Sequence, residues 1–163
     1  MAKMSSEVST LVNAQIALEF EAMQHYLAMA VYLDGRSLEY AASFFYAQAD
    51  EEREHAMKFV RFMLEVGETP VIPELPEPRA GYDSLGDVVR ASLENEQRVT
   101  AAIHKIVGAA SAAGDHRAFQ FLQWFVAEQI EEEATMEKLI DVVEMSHNEL
   151  QAEQYMRNME QSH

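Results

Sequence analysis

The chain contains no cysteine, so disulfides, zinc–thiolate sites and iron–sulfur clusters are excluded, and any metal must be held by carboxylate and imidazole. Proline is confined to one stretch. All four (Pro70, Pro73, Pro76, Pro78) fall within residues 67–82, where they forbid helix and predict an extended connection. Basic residues are scarce: 12 Lys and Arg stand against 28 Asp and Glu, a formal charge of −16. That imbalance argues against nucleic acid and anionic membrane as partners and suits a surface or cavity that attracts cations. Long apolar runs are missing too. None could span a bilayer, and the start of the chain, Met1 to Glu7, lacks the apolar core of a signal peptide, so the expectation is a soluble cytoplasmic protein. A length of 163 residues suits a single domain, 1–163, large enough to bury a core.

What is present is helical periodicity, four times over. A seam through Val12, Ile16, Glu19, Met23, Tyr26, Ala30 and Leu33 predicts a first helix over about 5–33, stopped by Asp34-Gly35. Phe45, Gln48, Glu52, His55, Phe59, Phe62 and Val66 predict a second over about 37–66, with Gly67 as its C-terminal stop. Leu85, Val89, Ser92, Glu96, Val99, Ile103, Ile106 and Ala110 mark a third over about 83–112. Ala118, Leu122, Phe125, Gln129, Glu132, Met136, Leu139 and Val143 mark a fourth over about 115–145, opened by Asp115 after Gly114. Asn148 and Gln151 form a capping-box-like start to a short fifth segment, about 148–160, whose patchy apolar content points to packing against another subunit. The long connection 67–82 suits a crossover along the length of a bundle better than a disordered linker, because neither half would easily bury its seam alone.

Each seam is interrupted by polar residues near mid-length, and helices of equal length packed side by side bring their midpoints to one level. Glu19, Glu52 with His55, Glu96, and Gln129 with Glu132 are therefore expected to converge inside the bundle. Residues three apart share a helix face, so each pair aims at the same spot. Any one interruption alone reads as a misphased surface residue, and a Glu-x-x-His pair alone is common on solvated faces. Matched depth in four seams is different. Four buried carboxylates and one imidazole need positive charge, and two divalent cations balance them. Oxygen-rich ligands with one His suit iron or manganese, the arrangement of di-iron carboxylate bundles. Tyr26 reads either as core packing with its hydroxyl on a site carboxylate or as a redox participant. Trp124 reads as a packing aromatic near the site or an electron donor. Glu51 and Glu131 lie in acidic runs, and Glu128 is three residues before Glu131 on the same helix face; these read either as solvated faces or as a further, looser cation site. His116 and Asp115 are candidate pore residues. A metal-free helical scaffold and a di-metal oxidase or oxygenase acting on a small substrate are the competing readings; Phe45, Phe59 and Phe125 leave the second little room.

With Leu18-Glu19-Phe20 and Tyr26, Glu51-Glu52-x-x-His55, Asn95-Glu96-Gln97, and the run from Phe121 to Glu133, the whole chain resembles the non-haem bacterial ferritins. The resemblance implies an all-α, ferritin-like four-helix bundle with one long crossover between helices 2 and 3 and a short fifth helix at fourfold contacts. It further implies a shell of 24 subunits that stores ferric mineral after oxidising Fe(II) with O2 or H2O2. Glu19, Glu52 and His55 would bind one iron, and Glu52, Glu96 and Glu132 the other, with Glu52 bridging and Gln129 beside the second. Tyr26 corresponds to the family's tyrosine next to the centre, and Glu51, Glu128 and Glu131, sharing Glu132, to a third iron position. Haem is not expected: Arg53 stands where bacterioferritins place a methionine, and Gln129 with Glu132 replaces their second Glu-x-x-His. A cysteine-free chain lacks the iron module of rubrerythrin-like proteins, and intact ligands within one bundle differ from the DNA-protecting mini-ferritins.

Overall fold

Helices begin where the chain supplies acceptors for the first free N–H groups, and the five that form are α1 (Ser6–Asp34), α2 (Glu39–Glu65), α3 (Leu85–Ala112), α4 (His116–Met145) and α5 (Glu149–Glu160). Ser5 Oγ accepts from Val8 N at 3.2 Å, Ser84 Oγ from Asp87 N at 3.0 Å and Asp115 Oδ1 from Ala118 N at 3.1 Å. Two stops use a left-handed residue: Gly67 (φ 81°) after α2 and Gly114 (φ 66°) after α3. The computed structural model describes residues 3–160, so the expected span 1–163 runs past the described residues at both ends. No strand occurs among them.

Short turns fold α1 against α2 and α3 against α4 as antiparallel hairpins, and α1 also packs on α3. The crossover leaves α2 at the lower end, where Met4 N donates to Glu68 Oε1 at 3.2 Å, and Val71 N donates to Asn13 Oδ1 at 2.8 Å. It reaches the upper end beside α5, where Leu85 N donates to Glu149 Oε1 at 2.9 Å. This is the long crossover expected from the proline stretch. It makes α2 and α3 run the same way and brings α2 opposite α4.

The seams are buried almost residue for residue, with Met23 and Val143 only partly covered and Val142 taking the inward place at the end of α4. Two apolar clusters result. The upper one includes Tyr26, Leu33, Phe45, Val89, Met136 and Leu139; the lower includes Val12, Ile16, Phe59, Ile103, Leu122 and Phe125. Between them lies a layer of buried polar side chains from all four long helices.

Three expectations need adjustment. The α1–α2 turn is made by Ser37 at φ 59°, while Gly35 stays right-handed at φ −60°. The second and third helices start two residues later than expected, at Glu39 and Leu85. The inward face of α5 belongs to its own chain: Ala152 and Met156 complete the upper cluster, and Glu153 is buried against α2. The periodicity of a short segment shows that it has an apolar side, but not which surface covers it.

Candidate metal centre

Glu19, Glu52, His55, Glu96, Gln129 and Glu132 all lie in the buried polar layer, each at most 5% exposed. His55 is the hub. Its Nδ1 is 3.4 Å from Glu52 Oε2 and 4.0 Å from Glu19 Oε2, and its Nε2 is 3.7 Å from Glu128 Oε1. One donor atom from each of Glu19, Glu52 and His55 fits within 4.8 Å of the others, and so does one from each of His55, Glu128 and Glu132. Glu96 joins from α3 through a network of its own. Tyr26 donates its hydroxyl to Glu96 Oε1, and Gln129 Nε2 donates to Glu96 Oε2 at 3.0 Å, to the Glu96 carbonyl at 3.2 Å and to Thr100 Oγ1 at 3.2 Å. Tyr26 is thus fully buried with its ring 5.8 Å from that of Phe45 and its hydroxyl on a carboxylate.

The electrostatics are unbalanced. Burial, followed by the neighbouring Glu52, raises the Glu19 carboxyl well above its ordinary value, and burial followed by Glu96 does the same to Glu52. Burial pushes Glu132 up to about 9, with Glu96, Glu51 and Glu128 adding repulsion. Glu96 is raised by burial as well, although its bonds from Tyr26 and Gln129 pull the other way. Burial and the adjacent Glu96 raise the Tyr26 phenol well above its usual value, so it stays protonated and donates. Without cations the cluster must hold protons, because four charged carboxylates around one imidazole would be insupportable in a buried layer.

Unpartnered atoms mark where something else belongs. Glu19 Oε2, Glu52 Oε1 and His55 Nδ1 are buried with no hydrogen-bond partner among the described residues. Orphaned acceptors from two helices around an imidazole nitrogen make a suitable donor set for a hard or borderline divalent cation. Beside this layer opens a cavity of about 470 Å³ lined by Gln48, Glu51, Glu128, Glu131 and Glu132, with Phe44 and Met159 at its apolar edge. The three outer glutamates therefore share one concavity, Glu51 and Glu131 exposed and Glu128 partly buried.

Two participants escaped the sequence reading. Gln15 is buried and donates from Nε2 to Glu19 Oε1 at 2.7 Å, holding one carboxylate oxygen so that the other faces His55. Its spacing, four residues before Glu19, was the available signal. Thr100 accepts from Gln129 and donates to Glu133 Oε2 at 2.9 Å. Trp124 does lie near the site, 5.5 Å between ring centroids from His55, but 42% of it is exposed. Asp115 and His116 sit at the lower end of the bundle, about 20 Å from the centre at 1.5 Å per residue.

Comparison with known proteins adds three findings. Residues 10–146 match the family model described as ferritin-like domain. The chain is 34% identical over 160 residues to the bacterial non-heme ferritin of Campylobacter jejuni, covering 96% of each, and 36% identical over 147 residues to ferritin BfrB of Mycolicibacterium smegmatis, covering 90% of this chain and 81% of that one. Among solved structures, an open pore ferritin from the hyperthermophilic archaeon Archaeoglobus fulgidus superposes with a TM-score of 0.92 at 31% identity, over 96% of this chain and 98% of the other.

Proposed function

The chain belongs to the ferritin family, and from that premise we propose that it stores iron by oxidising Fe(II) at the buried carboxylate layer and passing ferric product into a closed shell. The observation that carries the reading is the meeting of Glu19, Glu52 and His55, all buried and each with an orphaned atom, at one point between two apolar clusters. Iron here is substrate and cargo. Glu19, Glu52 and His55 would take one ferrous ion and Glu52, Glu96 and Glu132 a second, with Glu52 between them. Cations entering this layer displace the protons that burial holds on the carboxylates, and these leave through the acidic concavity of Glu51, Glu128 and Glu131, a candidate third cation position. Oxygen ligands favour the ferric state, so the layer lowers the cost of electron loss to O2 or H2O2. Gln129 and Tyr26 fix Glu96 by donating to its two oxygens, which orients that ligand without adding charge.

The fixed geometry on one side and the three outer glutamates on the other divide labour between oxidation and transfer. Haem has no part in the reading, since Arg53 occupies the position noted above. Assembly into a 24-subunit shell and a cytoplasmic location belong to the proposal. No helix among the described residues is long and apolar enough to cross a membrane. The oxygenase alternative would need an apolar substrate pocket at the centre, whereas Phe45, Phe59 and Phe125 there are at most 1% exposed and packed closed.

The test is anaerobic Fe(II) titration followed by air. Wild-type protein should oxidise two irons per chain rapidly and then continue to soluble ferric product at hundreds of equivalents, on the order of what a shell interior holds. Glu52→Ala and His55→Ala should each slow the fast phase at least about tenfold, equivalent to about 1.4 kcal/mol of barrier. Wild-type rates in both variants would refute the site, and saturation at two irons would refute storage.

A further inference from the structure

The buried layer treats its carboxylates unequally. Glu96 has a donor on each oxygen, Tyr26 on Oε1 and Gln129 on Oε2 at 3.0 Å. Glu19 has a donor on one oxygen only. Gln15 Nε2 meets its Oε1 at 2.7 Å, while its Oε2 lies 4.0 Å from His55 Nδ1 with no hydrogen-bond partner among the described residues. Gln15 stands one turn before Glu19 on α1 and is 1% exposed. The seam residues on either side of it, Val12 and Ile16, belong to the lower apolar cluster. Its own Oε1 is buried without a partner among the described residues. Burying an amide with its acceptor unsatisfied is unfavourable, and an apolar side chain at this place would extend the cluster instead. Stability of the fold therefore does not account for a glutamine here. Its one satisfied contact, the N–H on Glu19, is where its use lies.

We propose that Gln15 is a positioning residue that limits Glu19 to a single-oxygen ligand, and so keeps a coordination position open on the cation held by Glu19, Glu52 and His55. The last torsion of a glutamate side chain is soft, so an unrestrained carboxylate can turn to offer a cation one oxygen or both. The bond from Gln15 to Oε1 fixes that torsion and leaves Oε2 facing His55. A neutral amide does this without altering the charge of the layer. A metal ion that takes one donor atom from each of the three residues keeps room for water or for the oxidant. A further donor from Glu19 Oε1 would fill that room and tighten the hold on the metal. Gln15 thus weakens binding in favour of turnover, the opposite of what a residue that merely braces the site would do. The benefit to oxidation rests on the iron-storage reading above, whereas the effect on coordination does not.

Cobalt(II) tests this directly, because its visible bands weaken as ligands are added around it. Metal-free, assembled full-length protein is titrated anaerobically with cobalt(II) in the wild type, Gln15→Met, Gln15→Leu and Glu19→Ala. Neither Met nor Leu can donate to Glu19, and the second stands in if the first fails to fold. The first cobalt should bind about tenfold more tightly in the Gln15 variants than in wild type, with weaker bands per cobalt. Fe(II) oxidation in the same variants should show a saturating rate about tenfold lower, reached at less Fe(II). Equal or weaker cobalt binding, or bands as strong as in wild type, overturns the role of Gln15, since a site that has only lost a brace loosens. Glu19→Ala judges the site itself and should lose the tight cobalt. If it binds cobalt as wild type does, the metal assignment of the layer falls and the role of Gln15 with it. If it loses the cobalt while both Gln15 variants match wild type, only the role of Gln15 falls.

Discussion

Glu132 shows how one residue can be unfavourable for folding and still be suited to hold a cation. Its carboxyl is pushed up to about 9 chiefly by burial, so at neutral pH it holds a proton unless a cation replaces it. Glu132→Gln keeps the shape and removes the ionisation. The metal-free variant is expected to melt higher than wild type at pH 9, by several degrees in calorimetry, while its fast Fe(II) oxidation falls at least about tenfold. A variant that melts no higher would show that Glu132 is not electrostatically strained. Tyr26→Phe separates packing from hydrogen bonding in the same way. The ring contact with Phe45 survives, the bond to Glu96 is lost, and the cost in stability is expected to be about 1 kcal/mol. At this scale the sequence was highly legible: one polar break per apolar seam pointed to the residues that meet. Gln15 was missed because an amide on the shoulder of a seam looks like any surface glutamine until its carboxylate partner is known to be buried.

Elements were predicted well where a pattern is sustained and poorly where a neighbour decides. The cap at Asp115 is written locally and was read locally. The start of α2 is not, because Leu38 offers no side-chain acceptor there. The missing acceptor comes from a segment more than a hundred residues away. Glu153 Oε2 accepts from Tyr40 N at 3.0 Å and from Ala41 N at 3.4 Å, and Glu149 does the same service for Leu85 N at the start of α3. A carboxylate over a helix N-terminus also gains from the helix dipole. The fifth helix therefore clamps the upper ends of both α2 and α3, a role that its own short pattern could not disclose. Glu153→Ala is expected to destabilise the fold by about 1–2 kcal/mol, the loss of an N-cap at a buried site. Denaturant unfolding of that variant beside Leu150→Ala, which is 63% exposed, would check it: equal effects would show that α5 contributes only as surface.

At the scale of the whole molecule, the polar layer divides the core and makes stability depend on whatever neutralises it. Glu19, Glu52, Glu96 and Glu132 all have folded-state values raised above their ordinary ones, so between about 4.5 and the raised values the folded chain binds more protons than the unfolded chain. Stability of the metal-free protein must then fall as pH rises through that window, fully retained below 4.5 as far as these groups are concerned and lost as Glu132 passes about 9. Net charge of −16 adds self-repulsion in the same direction, so the pH trend alone does not isolate the layer. A redox-inert divalent cation does. Zinc at about 100 times its dissociation constant adds about 2.7 kcal/mol to a state that binds it, worth about 5–10 °C in a chain of this size. That gain should be large at pH 8, shrink as protons compete for the same carboxylates near pH 5, and disappear in Glu52→Ala. Stabilisation that persists in Glu52→Ala would mean that zinc acts at the exposed glutamates and that the layer between the two apolar clusters is held together by something other than cations.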